Sequence, residues 1–278
     1  RYVKPYVKRN KNDAADAEAI CEAVTRPTMR FVPVKTMDQQ SVLMLHRTRQ
    51  LFIRQRTMLI NSIRSHLAEF GIVPGIGRNG VEVLLELIAN GDESSIPAEA
   101  RPCLLALAAQ LELVKHQILE MDRRVLAWHR ASSLSRQLEG IPGVGPLIAT
   151  ALVASIPDPK VFRSGRDLSA WIGLVPKQNS TGGKEKLGSI SKAGNHYLRQ
   201  LLVVGALAVI RRAKQLGYTS HPWLVTLMER RPVTIAAVAL ANKMALIAWA
   251  ITARNGPYHA TLSARRISRH AERSASSR

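Results

Sequence analysis

The chain has 278 residues, of which 40 are lysine or arginine and 20 are aspartate or glutamate, so its formal net charge is +20. This excess predicts a polyanionic partner, and the 46% of hydrophobic residues exclude a purely disordered basic tail. Because the sequence has no uninterrupted apolar run of about 18 residues and no signal-peptide pattern, nucleic acid is favoured over a membrane as the partner. The two cysteines, Cys21 and Cys103, have no Cys or His at metal-ligand spacing, which argues against zinc and disulfides and fits a reducing cytoplasm.

The first predicted element is a helix close to the start of the chain. The chain opens at Arg1 in an extended segment rather than at a methionine, and we expect further sequence upstream. Asn12 can cap a helix that begins around Asp13, and the stretch from Thr25 to Pro33 then interrupts it.

Two acids of this helix, Asp13 and Asp16, are three residues apart and therefore lie on one face. Carboxylates so placed could share Mg²⁺ ions that activate a nucleophile for phosphodiester attack. The alternative is that they complement the helix macrodipole at its N-terminus. Two acids are too few for a complete two-metal site, so further ligands would have to come from elsewhere.

Two long amphipathic helices are predicted next. From Met37 to Phe70, apolar residues recur at helical spacing beside basic ones, namely Arg47, Arg49, Arg54, Arg56 and Arg64. From Leu104 to Trp128, apolar residues alternate steps of three and four over about three heptads, which predicts a coiled coil with the first helix or with another copy. The alternative is an amphipathic helix lying on a globular core. The stretches 71–80 and 90–102 are predicted to break the helices.

A third region, from Leu138 to about Ala253, is predicted to be a compact helical domain. Near its start, Gly140-Ile-Pro-Gly-Val-Gly-Pro146 separates a helix ending near Leu138 from one running over 147–154. Glycines let a backbone approach a phosphate closely, and the pattern resembles a helix-hairpin-helix that grips DNA. The residues predicted to do so are Gly143, Val144 and Gly145. An ordinary glycine-rich turn is the alternative.

The segment from Pro176 to Arg199 carries five basic residues against one glutamate, and Ser180 lies in it beside two glycines. A serine hydroxyl is a weak nucleophile unless a base or cation activates it, and a phosphodiester attack needs cations as well. On composition alone a phosphate-contacting hydroxyl is the commoner role. The basic residues predicted to bind nucleic acid are Lys177, Lys184, Lys186, Lys192 and Arg199.

Five segments taken together resemble one family, the DEDD-type insertion-sequence transposases. They are Lys-Asn-Asp-Ala-Ala-Asp-Ala at 11–17, the Gly-Val-Gly hairpin, Trp-Ile-Gly-Leu-Val-Pro at 171–176, Asn-Ser-Thr-Gly-Gly-Lys at 179–184 and Ile-Ser-Lys-Ala-Gly-Asn at 190–195. The resemblance implies a RuvC-like nuclease domain of ribonuclease-H-like fold followed by a serine-bearing transposase domain. It also implies DNA cleavage and rejoining in bacteria, with a protein associated with the nucleoid.

The resemblance assigns roles to residues. The last two of the family's four Mg²⁺-binding acids match Asp13 and Asp16, whereas the first two lie upstream of this chain, which implies a truncated N-terminus. The nucleophile that forms a covalent link to DNA matches Ser180, with Thr181 as the neighbouring alternative. The resemblance further implies a structured guide RNA, and a homo-oligomer, dimeric or tetrameric, whose site is completed between protomers.

The sequence therefore predicts a mainly α protein in four parts: 1–36 as the end of a RuvC-like α/β domain, 37–132 as a helical coiled-coil connector, 133–256 as a helical transposase domain, and 257–278 as a disordered basic tail. Two other functions stay open. One is a RuvC-like Holliday-junction nuclease that uses the carboxylates and water. The other is a truncated protein that only binds nucleic acid.

Overall fold

The computed structural model describes residues 6, 12–27, 29, 33–73, 75, 77–90, 96–179, 187–215 and 222–254. The chain divides into two compact units, Arg1–Val34 and Lys35–Arg278. The described residues form ten α-helices and two short strands, so the prediction of a mainly α protein is confirmed. The predicted tail at 257–278 lies outside the described residues.

The first unit contains helix α1, Asp13–Val24. As predicted, Asn12 caps it: the backbone is extended there and the side-chain oxygen accepts a hydrogen bond of 2.9 Å from the amide of Ala14. Ala19 and Ala23 face inward, and the helix ends at Thr25. The described part of this unit contains no strand, and the ribonuclease-H-like fold stays a prediction.

Helix α2, Met37–Glu69, begins the second unit and matches the predicted helix closely. A capping box fixes its start, because the Thr36 side chain accepts from the Gln39 amide while the Gln39 side chain accepts from the Thr36 amide. Helix α3, Arg78–Asn90, was not predicted; it begins inside the first predicted break and ends at the first residue of the second. Helix α4, Ala100–Ala131, starts inside the second break, since Pro102 is tolerated in a first turn where its missing N–H has no helical partner.

Helices α2 and α4 pack side by side and run antiparallel. Near one end Trp128 packs against a cluster that includes Val42 and Leu43, and near the other the apolar side chains of both helices join those of α3 in one cluster. Between the ends, Arg49 of α2 pairs with Asp122 of α4. The buried heptad positions of α4 are Leu104, Leu111, Val114, Ile118 and Val125. The heptad helix thus has α2 as a partner, and supercoiling of the pair stays a prediction.

The rest of the unit is a helical cluster with one small sheet. Its elements are α5 (Ser133–Glu139), α6 (Pro146–Ser155), a 3₁₀ turn (Pro159–Val161), α7 (Gly165–Ile172), β1 (Pro176–Gln178), β2 (Leu187–Ile190), α8 (His196–Gln215), α9 (Pro222–Arg230) and α10 (Val233–Arg254). The core is formed mainly by α6, α8 and α10. Helix α6 also packs on α2 and α4, so packing continues across the predicted domain boundary at residue 132.

Helix α10 is long and apolar enough to cross a membrane, judged by length and composition alone. Eight of its residues are buried against the neighbouring helices, most of them alanines that allow close approach. Lys243 interrupts the apolar stretch, and its ammonium lies 4.9 Å from the centre of the Trp223 ring. The contacts of α10 are therefore those of a core helix within the described part of the chain.

A buried histidine joins three helices of the second unit. His46 of α2 is 1% exposed, and its Nδ1 lies 2.9 Å from the hydroxyl of Tyr197 and its Nε2 3.0 Å from Oγ1 of Thr150. Because the Thr150 hydroxyl donates to the Pro146 carbonyl, we infer that His46 Nε2–H donates to Thr150 and Nδ1 accepts from Tyr197. This arrangement requires a neutral imidazole and a protonated phenol.

The pKa values agree with that assignment. Burial, with a smaller contribution from Arg49, lowers the pKa of His46 from 6.5 to about 4. Burial raises the pKa of Tyr197 to about 12. Both groups are therefore held in their neutral forms across the physiological range.

The fold should lose stability in acid through His46. Because its folded-state pKa lies below the unfolded value, the stabilisation is complete above pH 6.5 and is lost as the pH falls towards 4. The two pKa values predict that this residue alone removes about 2 kcal/mol from the free energy of unfolding between pH 7.5 and pH 5. Urea unfolding at both pH values should show this loss in the wild type and a smaller loss in His46→Gln. His66→Gln, which changes an exposed histidine of the same helix, is the control and should behave as the wild type.

Candidate nucleic-acid interface

The serine-bearing segment connects the two strands of an antiparallel hairpin. Pro176 of β1 pairs with Ile190 of β2, and Gln178 pairs with Leu187. The two strands were not predicted from the sequence, because they are short and β1 is exposed throughout. The connecting residues Ser180, Thr181, Lys184 and Lys186 lie outside the described residues.

Backbone hydrogen bonds continue the pairing below the hairpin. The amide of Ser191 donates to the carbonyl of Val175 at 2.8 Å. Farther from the strands, the amide of Asn195 donates to the carbonyl of Trp171 at 3.2 Å. Gly173, which ends α7 with φ +86°, lies so close to the opposite segment that a Cβ there would be 2.0 Å from the carbonyl oxygen of Ala193. The two segments that lead into the hairpin, residues 171–175 and 191–195, are therefore held together. We call this paired region the hairpin base.

Arg199 donates hydrogen bonds to the hairpin base. It was predicted to bind nucleic acid, but it is only 8% exposed, and its guanidinium donates to the carbonyls of Ile172 at 2.7 Å and Ala193 at 3.2 Å. A buried cation with these partners stabilises the start of α8 against the end of α7 and is not presented to a phosphate. Lys177 and Lys192, by contrast, are exposed on either side of the hairpin, as a phosphate contact requires.

The three residues of the Gly-Val-Gly turn between α5 and α6 differ in their surroundings. Gly143 has φ +88°, and a Cβ there would lie 2.8 Å from the carbonyl oxygen of Gly205 in α8. Val144 is buried, and its amide donates to the carbonyl of Ile141. Gly145 caps α6 and has open space around it. Gly143 and Val144 thus have packing roles, and Gly145 is the member of the three with room for a ligand.

The two predicted metal ligands lie in the first turn of α1. Asp13 and Asp16 are both exposed, so their carboxylates are accessible to solvent. Nowhere in the described ranges do three or more His, Cys, Asp or Glu side chains form a group that could hold a metal ion. The pair therefore supplies at most part of a metal site.

An array of the buried Ser135 and His129 and the exposed Glu139 has the residue types of a hydrolytic triad. The Ser135 hydroxyl lies 2.8 Å from His129 Nδ1, and His129 Nε2 lies 3.0 Å from the Glu139 carboxylate. Ser135 is fully buried, so no substrate can reach its oxygen. The array instead fixes the junction between α4 and α5.

A cleft of about 250 Å³ lies between α2 and the hairpin base, and the sequence did not predict it. Its lining includes two cations, two amides and two aromatic residues: Lys35, Arg47, Gln50, Asn195, Trp171 and Tyr197. These residues come from distant parts of the chain, and helical periodicity carries no information about such a meeting. The one available signal was Trp171 and Asn195, which both belong to segments that carried the family resemblance.

Comparisons with known proteins agree with that resemblance. Residues 135–220 match the family described as "Transposase IS116/IS110/IS902 family", and residues 1–72 match a DEDD domain of IS110 elements described as "Transposase". A putative transposase of Sinorhizobium fredii is 48% identical over 92% of this chain and 66% of its own length. A probable family 20 transposase of Pseudomonas aeruginosa is 44% identical over 93% of this chain and 77% of its own length. The transposase of insertion sequence element IS1111A from Coxiella burnetii is 42% identical, over 93% and 71%.

Substitutions of Gly145 and Gly143 should have different effects, the first on DNA binding and the second on stability. In Gly145→Ala we expect a folded protein, since the backbone there is extended and the space is open, with affinity for duplex DNA lowered about tenfold by the loss of close phosphate approach. Gly75→Ala, another glycine with open surroundings, is the matched control. Fluorescence polarisation measures the affinity. If Gly145→Ala binds as well as Gly75→Ala does, the segment is an ordinary turn.

Gly143→Ala should instead lower the stability of the fold. A Cβ at positive φ would also collide with the backbone of α8, so we expect the free energy of unfolding to fall by about 1–3 kcal/mol. Thermal or urea unfolding measures this change. An unfolding free energy equal to that of the wild type would contradict the close contact between Gly143 and Gly205.

Proposed function

Because the chain belongs to the IS116/IS110/IS902 family of transposases, we propose that it cleaves and rejoins DNA strands for an insertion sequence through Ser180. The observation that supports this role most is the position of Ser180 between two paired strands whose base is fixed to the core. Catalysis by a positioned nucleophile depends on such a rigid support. The chain covers 66% of the length of the Sinorhizobium relative, and the activity of the whole protein is part of this proposal.

The proposed reaction is a pair of transesterifications. The Ser180 oxygen attacks the scissile phosphorus and loses its proton to a base, and the deoxyribose oxygen leaves and takes up a proton. The phosphodiester becomes a phosphoserine ester, so the bond energy is conserved. Attack by a deoxyribose hydroxyl of another DNA end then releases the serine and rejoins the strand. The exposed Lys177 and Lys192 would bind phosphates of the DNA on either side of the hairpin.

Asp13 and Asp16 could supply some of the ligands of a Mg²⁺ ion, because both carboxylates are exposed in one helical turn and Mg²⁺ prefers oxygen ligands. When bound, the ion would neutralise charge on the phosphate oxygens. Among the described residues no third His, Cys, Asp or Glu joins these two carboxylates in one group, so the other protein ligands stay unassigned. We therefore propose that the metal ion is Mg²⁺ and that Asp13 and Asp16 are two of its ligands.

A guide RNA and a homo-oligomer, dimeric or tetrameric, complete the proposal. Helix α4 presents exposed arginines that could bind RNA phosphates, namely Arg123, Arg124 and Arg130. Among the described residues Arg123 and Arg124 lie beside Glu120, whereas no carboxylate lies within ion-pair distance of Arg130. The remaining positive charge is available for a polyanion.

The nucleophile can be tested by trapping the covalent intermediate. With the full-length native protein, Mg²⁺ and its guide RNA, Ser180→Ala should abolish a DNA–protein adduct that survives denaturation, while noncovalent DNA binding changes less than about twofold. Labelled DNA on a denaturing gel measures the adduct. Asp13→Asn should also prevent adduct formation, because it weakens the metal site.

Three other outcomes are distinguishable in the same assay. Loss of the adduct in Thr181→Ala but not in Ser180→Ala would move the nucleophile by one residue. Cleavage that needs Asp13 but neither hydroxyl would favour the Holliday-junction type of nuclease, which uses water. Binding without any cleavage by the full-length protein would contradict both and leave a nucleic-acid-binding protein.

A further inference from the structure

We propose that the cleft between α2 and the hairpin base holds a single unstacked nucleotide of the DNA strand on which Ser180 acts. The choice of DNA rests on the proposed function, whereas the choice of a nucleotide rests on the cleft itself. The cleft measures about 250 Å³, just below the range of about 300–1,000 Å³ typical of small-molecule pockets. It can therefore accept one nucleotide but not a duplex.

The lining has the side chains that recognise an unstacked base. Trp171 offers an aromatic surface, and Gln50 and Asn195 offer amides, which can pair with the donors and acceptors on a base edge. The Asn195 oxygen already accepts from the amide of Leu198 at 3.1 Å, which fixes this side chain and leaves its NH₂ group to donate. Aromatic stacking combined with amide pairing is the usual chemistry of single-nucleotide recognition.

The charges of the cleft suit a nucleotide with its phosphate at the rim. Arg47 is exposed and Lys35 is half-buried, and none of the described residues that line the cleft is acidic. Within the described part of the chain, the side chains of Lys35, Arg47 and Gln50 form no hydrogen bond or ion pair, so a ligand would not have to displace one. The innermost polar residue, His46, is neutral, with both ring nitrogens engaged. A neutral interior and a cationic rim match an uncharged base with a phosphate attached.

The position of the cleft connects it with the hairpin. Trp171 and Asn195 are joined by a backbone hydrogen bond, and they lie at the two ends of the paired segments that lead into the hairpin. A DNA strand bound along the exposed Lys177 and Lys192 would reach this cleft at the hairpin base. A nucleotide held there would fix the register of the strand relative to the nucleophile.

The test uses full-length Ser180→Ala protein, so that binding is measured without cleavage. Single-stranded DNA carrying one 5-iododeoxyuridine, moved stepwise along the strand, is crosslinked by ultraviolet light, and the modified peptide is identified by mass spectrometry. We expect one position to label the peptide that contains Trp171. Adding Arg47→Ala and Gln50→Ala should weaken binding about tenfold and remove this crosslink.

Helix α2 offers a matched control. Arg54→Ala with Gln55→Ala changes the same residue types on the same helix outside the cleft, and it should weaken binding less than about threefold and keep the crosslink. Equal losses in the two double variants, labelling that does not depend on position, or equal labelling by RNA of the same sequence would overturn the proposal. Failure of the serine nucleophile appears separately, as an unchanged adduct in Ser180→Ala, and a crosslink at Trp171 would still support the cleft.

Discussion

The buried hydrogen bonds of His46 are the interaction on which the second unit most depends. A single imidazole links α2, α6 and α8 through Thr150 and Tyr197. A buried polar group is costly unless its hydrogen bonds are made, so the three helices can pack here in only one relative position. The long antiparallel pair and the helical cluster are thereby fixed to each other, and the candidate cleft forms along that junction.

The hairpin depends on this junction indirectly. Tyr197 lies in the first turn of α8, directly after the segment that pairs with the end of α7. The buried Arg199 ties the same turn to the carbonyls of Ile172 and Ala193. The positions of β1 and β2 are therefore set by helix packing, since two short strands alone contribute little stability.

The sequence allowed the main helices to be predicted because their signals are local. Asn12 caps α1, and heptad spacing marks α4, and each of these patterns lies within one helix. Helix α3 was missed because a glycine-rich stretch and a second break flank a short segment. The role of Arg199 and the existence of the cleft could not be predicted, since both depend on contacts between residues far apart in the chain. Charge in a loop indicates a phosphate contact only if the side chain remains exposed.

The contact between Gly143 and Gly205 has a consequence for the evolution of this protein. The backbone of the turn lies directly against the backbone of α8, and a Cβ at Gly205 would lie 2.3 Å from the carbonyl oxygen of Gly143. No flexible side chain separates the two segments, so neither position can gain a methyl group without moving a helix. Substitutions at these two sites are thus expected to be non-additive, because a shift of the backbone that makes room for a methyl group at one site also makes room at the other.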